Sequence, residues 1–290
     1  MLKSGSIILL PVFMAFCLPC WGQQKADDRL IFDEYIRYIR QNDAGSSGSP
    51  RSMAELIIET ARFFLGKPYA ASTLEKDPEQ LVVNLREFDC TTFVETTLAL
   101  SRTVENLEHP SFEDFCEQLQ RIRYRNGAVD DYTSRLHYFT DWIYENEKNG
   151  FVHDVTRKAG GKPYRPDLSF MSSHPDRYPR LRSNPGFAEV LRRKEREISE
   201  RNVYSMIAGA EIAGREDFLR DGDIVCFVTS IEGLDVTHVG FIYRYSGKLT
   251  FIHASSAAKK VIINPQPVRK YVEQSRYTKG IMIVRLQDLE

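Results

Sequence analysis

The chain has 290 residues, a formal net charge of −1 at pH 7 and 42% hydrophobic residues, with 17 glycines and 13 prolines. A nearly balanced charge lacks the basic excess that nucleic-acid binding needs, so no nucleic-acid partner is predicted. The length allows one large domain with a sizeable core, and no repeat of solenoid period is present.

The first 22 residues have the pattern of a secretory signal peptide. An early lysine precedes an apolar run over 7–18, and Gly22 precedes a polar stretch. The run is shorter than the ~20 apolar residues that span a bilayer. We therefore expect export to the periplasm, removal of residues 1–22 and no stable membrane insertion. A lipoprotein anchored through Cys20 is the less favoured alternative, because Pro19 stands where lipoprotein signals usually carry a small residue.

Helical patterns fill most of the chain up to residue 220. Residues 23–50 are predicted to form an N-terminal helix followed by a Gly- and Ser-rich linker. Ser52 and Glu55 then form a capping box at the start of a helix that ends at Gly66. Three later segments also have helical spacing: SFEDFCEQLQRIRY, SRLHYFTDWIYENEKNG and GFAEVLRRKEREISER.

Two other segments of this half have no helical pattern. LVVNL is short and apolar and is predicted to be a strand. The stretch over 154–185, rich in Pro, Gly and Ser, is predicted to be an extended surface excursion.

The pattern changes to short strands at Asp221. Five apolar, β-branched runs follow, separated by turn residues: DGDIVCFVTS, THVGFIYRYS, LTFIHASS, KVIINPQ and GIMIVRL. Ser246 and Gly247 form a predicted hairpin turn between the second and third runs. Helices followed by an antiparallel sheet indicate an α+β domain with helices packed on one face of the sheet.

The cysteines outside the leader are Cys90, Cys116 and Cys226. An odd number argues against a disulfide framework in an exported protein. Cys116 and Cys226 lie on apolar faces and are predicted to be packing residues. Cys90 follows an acidic residue at a predicted helix start, where the helix dipole favours a thiolate. From the residues alone it could be buried packing, half of a disulfide, a metal ligand or a nucleophile.

A nucleophilic cysteine needs a histidine oriented by a third polar group. His109, His153 and His174 lie near turns or helix ends and are predicted to be surface or capping residues. The helical segment containing His137 allows either a core or a site role. His238 and His253 lie on predicted neighbouring strands, so they could touch across the ladder. Alternatively, both are satisfied histidines within the sheet.

Four segments in order carry a family resemblance: FDCTTFVE, DGDIVCFV, THVGFIY and FIHAS. Together they resemble the NlpC-type cysteine peptidase superfamily of bacterial cell-wall hydrolases. The resemblance implies a papain-like core, in which the nucleophile helix packs on an antiparallel sheet. It implies that Cys90 is the nucleophile, His238 the base and His253 the orienting third residue. Tyr69 in GKPY corresponds to the family's tyrosine in the loop before the catalytic helix.

The stretch between Cys90 and His238 is much longer than in compact members of the superfamily. This long form is most similar to the N-acetylmuramoyl-L-alanine amidase-like branch. The resemblance implies one hydrolase domain over 51–290, with a helical insertion at about 103–220 that reshapes the cleft. It also implies cleavage between the muramoyl lactyl group and L-alanine, with anhydromuropeptides as substrates.

The residues around the cleft suggest further contacts with peptidoglycan fragments. Asp89 either caps the helix or points into the cleft, where relatives with a different cleavage site use it to bind a free amine. The inserted segment SRLHYFTDW supplies polar and aromatic groups of the kind that bind sugars. Its predicted substrate contacts are Arg135, Tyr138, Asp141 and Trp142.

The sequence therefore predicts a cysteine-dependent amidase acting on disaccharide-peptides. An endopeptidase of the same superfamily, cutting D-glutamate from the diamino acid, is the nearest alternative. A non-catalytic wall-binding relative is a further alternative from a different functional class. No metal or cofactor is predicted, because the His and Glu spacing of zinc sites is absent from the sequence.

Overall fold

The computed structural model describes residues 20–44 and 51–287. The predicted signal peptide lies almost entirely outside this part of the chain, as does most of the predicted linker. No helix in the described ranges is both long and apolar enough to cross a membrane.

The long helices precede the five strands predicted after Asp221, as the sequence patterns indicate. The α-helices are α1 (Cys20–Ala44), α2 (Met53–Phe63), α3 (Cys90–Asn106), α4 (Phe112–Arg123), α5 (Phe139–Lys148), α6 (Phe170–Ser173), α7 (Pro179–Ser183), α8 (Pro185–Glu200) and α9 (Val268–Gln274). The strands are β1 (Val152–Asp154), β2 (Lys162–Pro163), β3 (Ser205–Ala208), β4 (Ile224–Thr229), β5 (Val236–Tyr245), β6 (Lys248–Ser255), β7 (Lys260–Ile263) and β8 (Thr278–Leu286). Of these elements, β1, β2, β3 and α9 were not predicted.

The strands form one antiparallel sheet in the order β2-β3-β8-β4-β5-β6-β7, and β1 pairs with β8. The five strands predicted after Asp221 are all present. Ser246 (φ 50°) and Gly247 (φ 74°) join β5 to β6. Two consecutive positive φ angles fit the tight turn that hairpins prefer, so the predicted hairpin is confirmed.

The central strand β4 is buried on both faces, which explains its continuous apolar sequence. One face of the sheet packs against the large helices, with Cys226 and Val228 in that core. Val225 and Phe227 point to a second, smaller core. α9 and the short helical turn Gly209–Gly214 contribute to it. The α+β architecture is therefore confirmed, although the second face is also covered.

The capping box of Ser52 and Glu55 is present at the start of α2. α1 packs on the same core through buried Phe32, Tyr35 and Ile39. The N-terminal helix is thus integrated with the domain rather than separate from it.

Three local predictions are wrong. The LVVNL segment joins no ladder, and its Leu85 N–H bonds to the carboxylate of Asp28 at 2.9 Å. The 154–185 stretch is not a surface excursion, because it places Leu168, Met171 and Leu181 in the core.

The third difference concerns the segment SRLHYFTDW. α5 begins at Phe139, and Arg135 to Tyr138 are extended instead of helical. Asp131 caps a short turn over Tyr132–Ser134, and the Leu136 N–H then bonds to the Arg123 carbonyl at 3.0 Å. These bonds hold the segment beside α4, so α5 begins only at Phe139.

Candidate active site

Cys90 is the first residue of α3. The preceding Asp89 caps the helix, because its Oδ1 accepts the Thr92 N–H at 2.8 Å while its own N–H donates to Thr92 Oγ1 at 2.9 Å. The capping role considered for Asp89 is therefore present. With Thr92 satisfied by the cap, the N–H groups of Cys90 and Thr91 lie at the open, electropositive end of the helix.

His238 and His253 touch across the hairpin of β5 and β6, as predicted. Nε2 of His238 lies 2.6 Å from Nδ1 of His253, and the two rings are nearly perpendicular. Gly240 permits this approach: a Cβ there would lie 3.0 Å from the Cβ of His253 and 2.7 Å from the Ile252 carbonyl oxygen. A larger residue than glycine at position 240 would clash with β6, which explains the glycine in THVG.

Cys90 and His238 line the same cavity, which has a volume of about 300 Å³. The backbone N–H of Val239, next to His238, also faces the Cys90 sulfur. Cys90, Cys116 and Cys226 are all free thiols. Cys90 therefore has the position of a nucleophile, and the disulfide alternative for it is not realised.

Burial favours the neutral forms of Cys90, His238 and His253. It raises the pKa of the Cys90 thiol to about 12, with a contribution from the charge of Asp89. Burial also lowers the pKa of His238 to about 4 and that of His253, which is also affected by His238, to about 3. The geometry thus presents a thiol and two neutral imidazoles at neutral pH.

The contact between the histidines limits the tautomers that allow base catalysis. His238 can accept a proton from Cys90 at Nδ1 only if its own proton is on Nε2. His253 must then accept at Nδ1 and carry its proton on Nε2, which is buried and makes no normal hydrogen bond within the described residues. The Asn264 side chain interacts with His253 and raises the pKa of its ring, as an acceptor oxygen does.

The orientation of the Asn264 amide is fixed by its neighbours. Its Nδ2 donates to the Gln266 carbonyl oxygen at 2.8 Å, and its backbone N–H donates to the Phe251 carbonyl at 2.8 Å. Because the nitrogen is occupied, the oxygen is the atom left for His253. Asn264 was not identified from the sequence, where it lies in an ordinary strand-end motif, INPQ.

An aromatic group surrounds the histidine pair. The ring of His238 stacks on Phe227 at 5.8 Å, and that of His253 lies 4.5 Å from Phe251. Tyr271 of α9 contacts both phenylalanines and lies 6.1 Å from His238. These rings explain the low pKa values of the histidines, and their role could not be inferred from sequence spacing.

The predicted substrate contacts divide into two groups. Arg135 and Tyr138 line the cavity, together with Asp89. Tyr69 does not line it, although the charge of Cys90 contributes, after burial, to a rise in the Tyr69 pKa to about 12. Tyr69 therefore lies near the nucleophile, in the loop bridged to Phe88.

Asp141 and Trp142 lie outside the cavity, so the prediction for these two residues is wrong. Trp142 is 0% exposed in the core and stacks on Phe139 at 4.8 Å. Asp141 is 3% exposed and forms ion pairs with Arg125 and with Arg201, the latter at 2.6 Å. Because α5 starts at Phe139, its buried face includes both positions.

The cavity has several walls that the sequence did not reveal. Asp235 immediately precedes β5 and accepts the N–H of Thr140 at 2.7 Å, in the first turn of α5. It thereby ties the start of the strand that carries His238 to the inserted helix. Other lining residues missed from the sequence are Glu75, Glu95, Tyr132, Met171 and Tyr178.

Within the described ranges, no group of three or more His, Cys, Asp or Glu side chains could hold a metal ion.

Comparison with known proteins agrees with this arrangement. A family model described as N-acetylmuramoyl-L-alanine amidase-like matches residues 59–281. A crystal structure of an N-acetylmuramoyl-L-alanine amidase from Bacteroides uniformis is 37% identical, covers 81% of this chain and 98% of its own, and has a TM-score of 0.76.

Two further structures share the fold. A Bacteroides fragilis protein named "putative xylanase" is 35% identical, with coverage of 78% of this chain and 99% of its own and a TM-score of 0.74. A Legionella pneumophila protein has the same fold at 20% identity, with a TM-score of 0.64 over 92% of this chain and 95% of its own. Comparison with curated proteins gave no match. The family match and the Bacteroides uniformis structure support a cell-wall amidase, and the chain belongs to the N-acetylmuramoyl-L-alanine amidase-like family.

Proposed function

We propose that the chain is an exported, cysteine-dependent amidase. Its reaction is hydrolysis of the amide between the muramoyl lactyl carbonyl and L-alanine, with anhydromuropeptides as substrates. The observation that carries the proposal is the 2.6 Å contact of His238 with His253 beside the cavity that Cys90 also lines. A nucleophile, a base and a group that orients the base are the parts that acyl transfer requires.

The first half-reaction forms a thioester. Cys90 Sγ attacks the lactyl carbonyl carbon while Nδ1 of His238 takes the thiol proton. Backbone N–H groups at the start of α3, including that of Cys90, stabilise the oxyanion, and one such donor typically contributes ~10²–10³ in rate. The C–N bond then breaks as His238 returns the proton to the departing amine of L-alanine.

The second half-reaction releases the muramoyl acid. Neutral His238 takes a proton from water, whose oxygen attacks the thioester carbonyl carbon. The C–S bond breaks and the proton returns to Cys90. His253 keeps His238 in the required tautomer throughout both halves.

The raised pKa of Cys90 and lowered pKa of His238 support proton transfer during the attack itself. A resting thiolate–imidazolium pair would have to overcome burial of both groups. The mechanism is thus general-base catalysis from a neutral pair.

Glycoside hydrolysis, the activity named for one neighbour, is not favoured by this site. A glycosidase uses two carboxyl groups flanking the scissile bond. Here the carboxylate of Asp89 caps α3, that of Glu95 pairs with Arg123 at 2.6 Å, and that of Asp235 caps α5.

The test uses defined disaccharide-tripeptides in the anhydro and reducing forms, with products identified by mass. The wild-type protein should release free disaccharide and an intact stem peptide, faster from the anhydro form. Cys90→Ala should release neither, whereas Cys116→Ala, which removes a thiol outside the site, should retain activity. A product that keeps the lactyl–alanine bond would favour the endopeptidase alternative, and full activity in Cys90→Ala would reject the cysteine mechanism.

Export is part of the same proposal and rests on the N-terminal sequence pattern. Fractionation of cells expressing the full chain, followed by N-terminal analysis of the protein recovered from the periplasm, tests it. An uncleaved cytoplasmic product would reject export, and an acylated Cys20 would favour the lipoprotein alternative.

A further inference from the structure

His137 lies in the cavity wall, and both its ring and one of its nitrogens are held in place. Nε2 of His137 lies 2.7 Å from the carbonyl oxygen of Tyr132, and the His137 and Tyr132 ring centroids are 4.5 Å apart. A carbonyl oxygen can only accept a hydrogen bond, so Nε2 carries the proton of the neutral ring. Nδ1 therefore carries a lone pair.

No described residue donates a hydrogen bond to this Nδ1. The ring lines the cavity that also contains Cys90 and His238. Burial and the nearby charge of Arg135 lower the pKa of His137 to about 3, so the ring stays neutral at physiological pH. His137 thus presents a pre-positioned acceptor to whatever occupies the cavity.

The charges of the cavity indicate which part of a muropeptide this acceptor meets. Arg135 pairs with Glu75 at 2.8 Å, and Glu95 pairs with Arg123. Asp89 and Asp235 line the cavity and form no ion pair within the described residues. Burial raises the pKa of Asp235, and Arg135, the cation of the lining, is already paired. The cavity therefore offers a stem-peptide carboxylate no unpaired cation among the described residues and suits an uncharged saccharide with N–H and O–H donors.

We propose that Nδ1 of His137 accepts a hydrogen bond from an N–H or O–H group of the substrate saccharide and thereby selects saccharide-bearing muropeptides. This inference rests on the proposed function, because it assumes that the saccharide side of the scissile amide enters the cavity. The contribution of His137 is to substrate recognition and not to bond cleavage.

The experiment measures selectivity: kcat/KM for an anhydro-disaccharide-tripeptide divided by kcat/KM for a lactoyl-tripeptide that lacks the sugar. His137→Phe keeps the ring but has no acceptor, and it should lower kcat/KM for the disaccharide substrate by about 10-fold, the usual effect of one lost hydrogen bond in a buried site. The lactoyl substrate should be unaffected. His137→Asn, which keeps an acceptor near the Nδ1 position, should retain most of the selectivity.

His174 provides a matched control. Its Nδ1 lies 2.9 Å from the Phe170 carbonyl oxygen and its ring stacks on Phe170 at 4.4 Å, but it does not line the cavity. His174→Phe should therefore leave the selectivity unchanged. An equal loss on both substrates in His137→Phe, or an unchanged selectivity, would overturn the inference.

A second measurement does not depend on the folding of a His137 variant. In ¹⁵N-histidine-labelled Cys90→Ala protein, the Nδ1 resonance of His137 should shift when the disaccharide-tripeptide is added, and should not shift with the lactoyl-tripeptide. Absence of a shift with the saccharide overturns the inference. If the wild-type protein fails to cut the lactyl–alanine bond, the proposed function itself is rejected, which is a separate result.

Discussion

Replacing Asn264 by leucine would test the tautomer argument for the histidine pair. Asn264 follows β7, is 8% exposed and interacts with His253 through its side chain. Because Nδ1 of His253 faces His238, we infer that Asn264 acts on Nε2, which has no other partner within the described residues. Leucine has a similar volume but offers no acceptor. The buried N–H that His253 must carry for His238 to act as a base would then have no partner.

The expected effect follows from the cost of that unsatisfied donor. A buried donor without a partner costs about 1–3 kcal/mol. His253 avoids this cost by moving its proton to Nδ1, which then donates to His238 and forces the His238 proton onto the nitrogen that faces Cys90. Since 1.4 kcal/mol corresponds to a factor of 10, the population competent for base catalysis should fall by about 5- to 150-fold.

The assay is steady-state hydrolysis of a disaccharide-tripeptide at neutral pH. Asn264→Leu should lower kcat by that factor and leave KM nearly unchanged, because Asn264 does not line the cavity. Asn264→Asp keeps an acceptor oxygen and should be the more active variant of the two. Wild-type kcat in Asn264→Leu, or a change confined to KM, would refute the reasoning.

Three further predictions concern reactivity and stability. Because burial raises the pKa of Cys90 to about 12, iodoacetamide at pH 7.5 should alkylate it more slowly than a free cysteine; faster alkylation would indicate a resting thiolate. Asp141→Ala removes the buried carboxylate that pairs with Arg201 and one of the two that pair with Arg125, whose bond to Glu145 remains. The free energy of unfolding measured in urea should therefore fall by about 3 kcal/mol, with unchanged kcat per folded molecule. The pKa of His137 is about 3 when folded, against 6.5 for an ordinary histidine. Its unfolded form therefore binds the extra proton, and stability falls as pH drops below about 6.5. His137→Asn should accordingly lose about 1.4 kcal/mol less per pH unit than the wild type between pH 6 and 4.5.

The position of Cys90 at a capped helix start could be predicted because its determinants are local in sequence. Asp89 and Thr92 cap the helix that Cys90 begins, and a cap is visible within four residues. The hairpin turn at Ser246 and Gly247 is also local, and it fixes β5 beside β6. The contact between the two histidines follows from that register.

The remaining walls could not be predicted because they depend on partners far apart in the chain. From the sequence, Asp141 was predicted to contact the sugar. In the fold its carboxylate pairs with Arg201, which lies 60 positions away in the chain. Tyr138 likewise lines the cavity with its hydroxyl already donated to Glu195 at 2.7 Å. Polar residues at helical spacing do not reveal which of them are paired inside the fold.

The 135–138 stretch contributes to the same cavity wall as Cys90 and His238. Cys90 and His238 come from elements of the core, whereas Arg135, His137 and Tyr138 come from the extended stretch that precedes α5. Asp235 joins the two parts, since it precedes the strand of His238 and caps α5. Substitutions in this stretch can therefore change which substrate group the cavity accepts without moving Cys90 or His238. We therefore expect changes in the 135–138 stretch to alter selectivity between muropeptides, and changes at Asn264 to alter the rate on all of them.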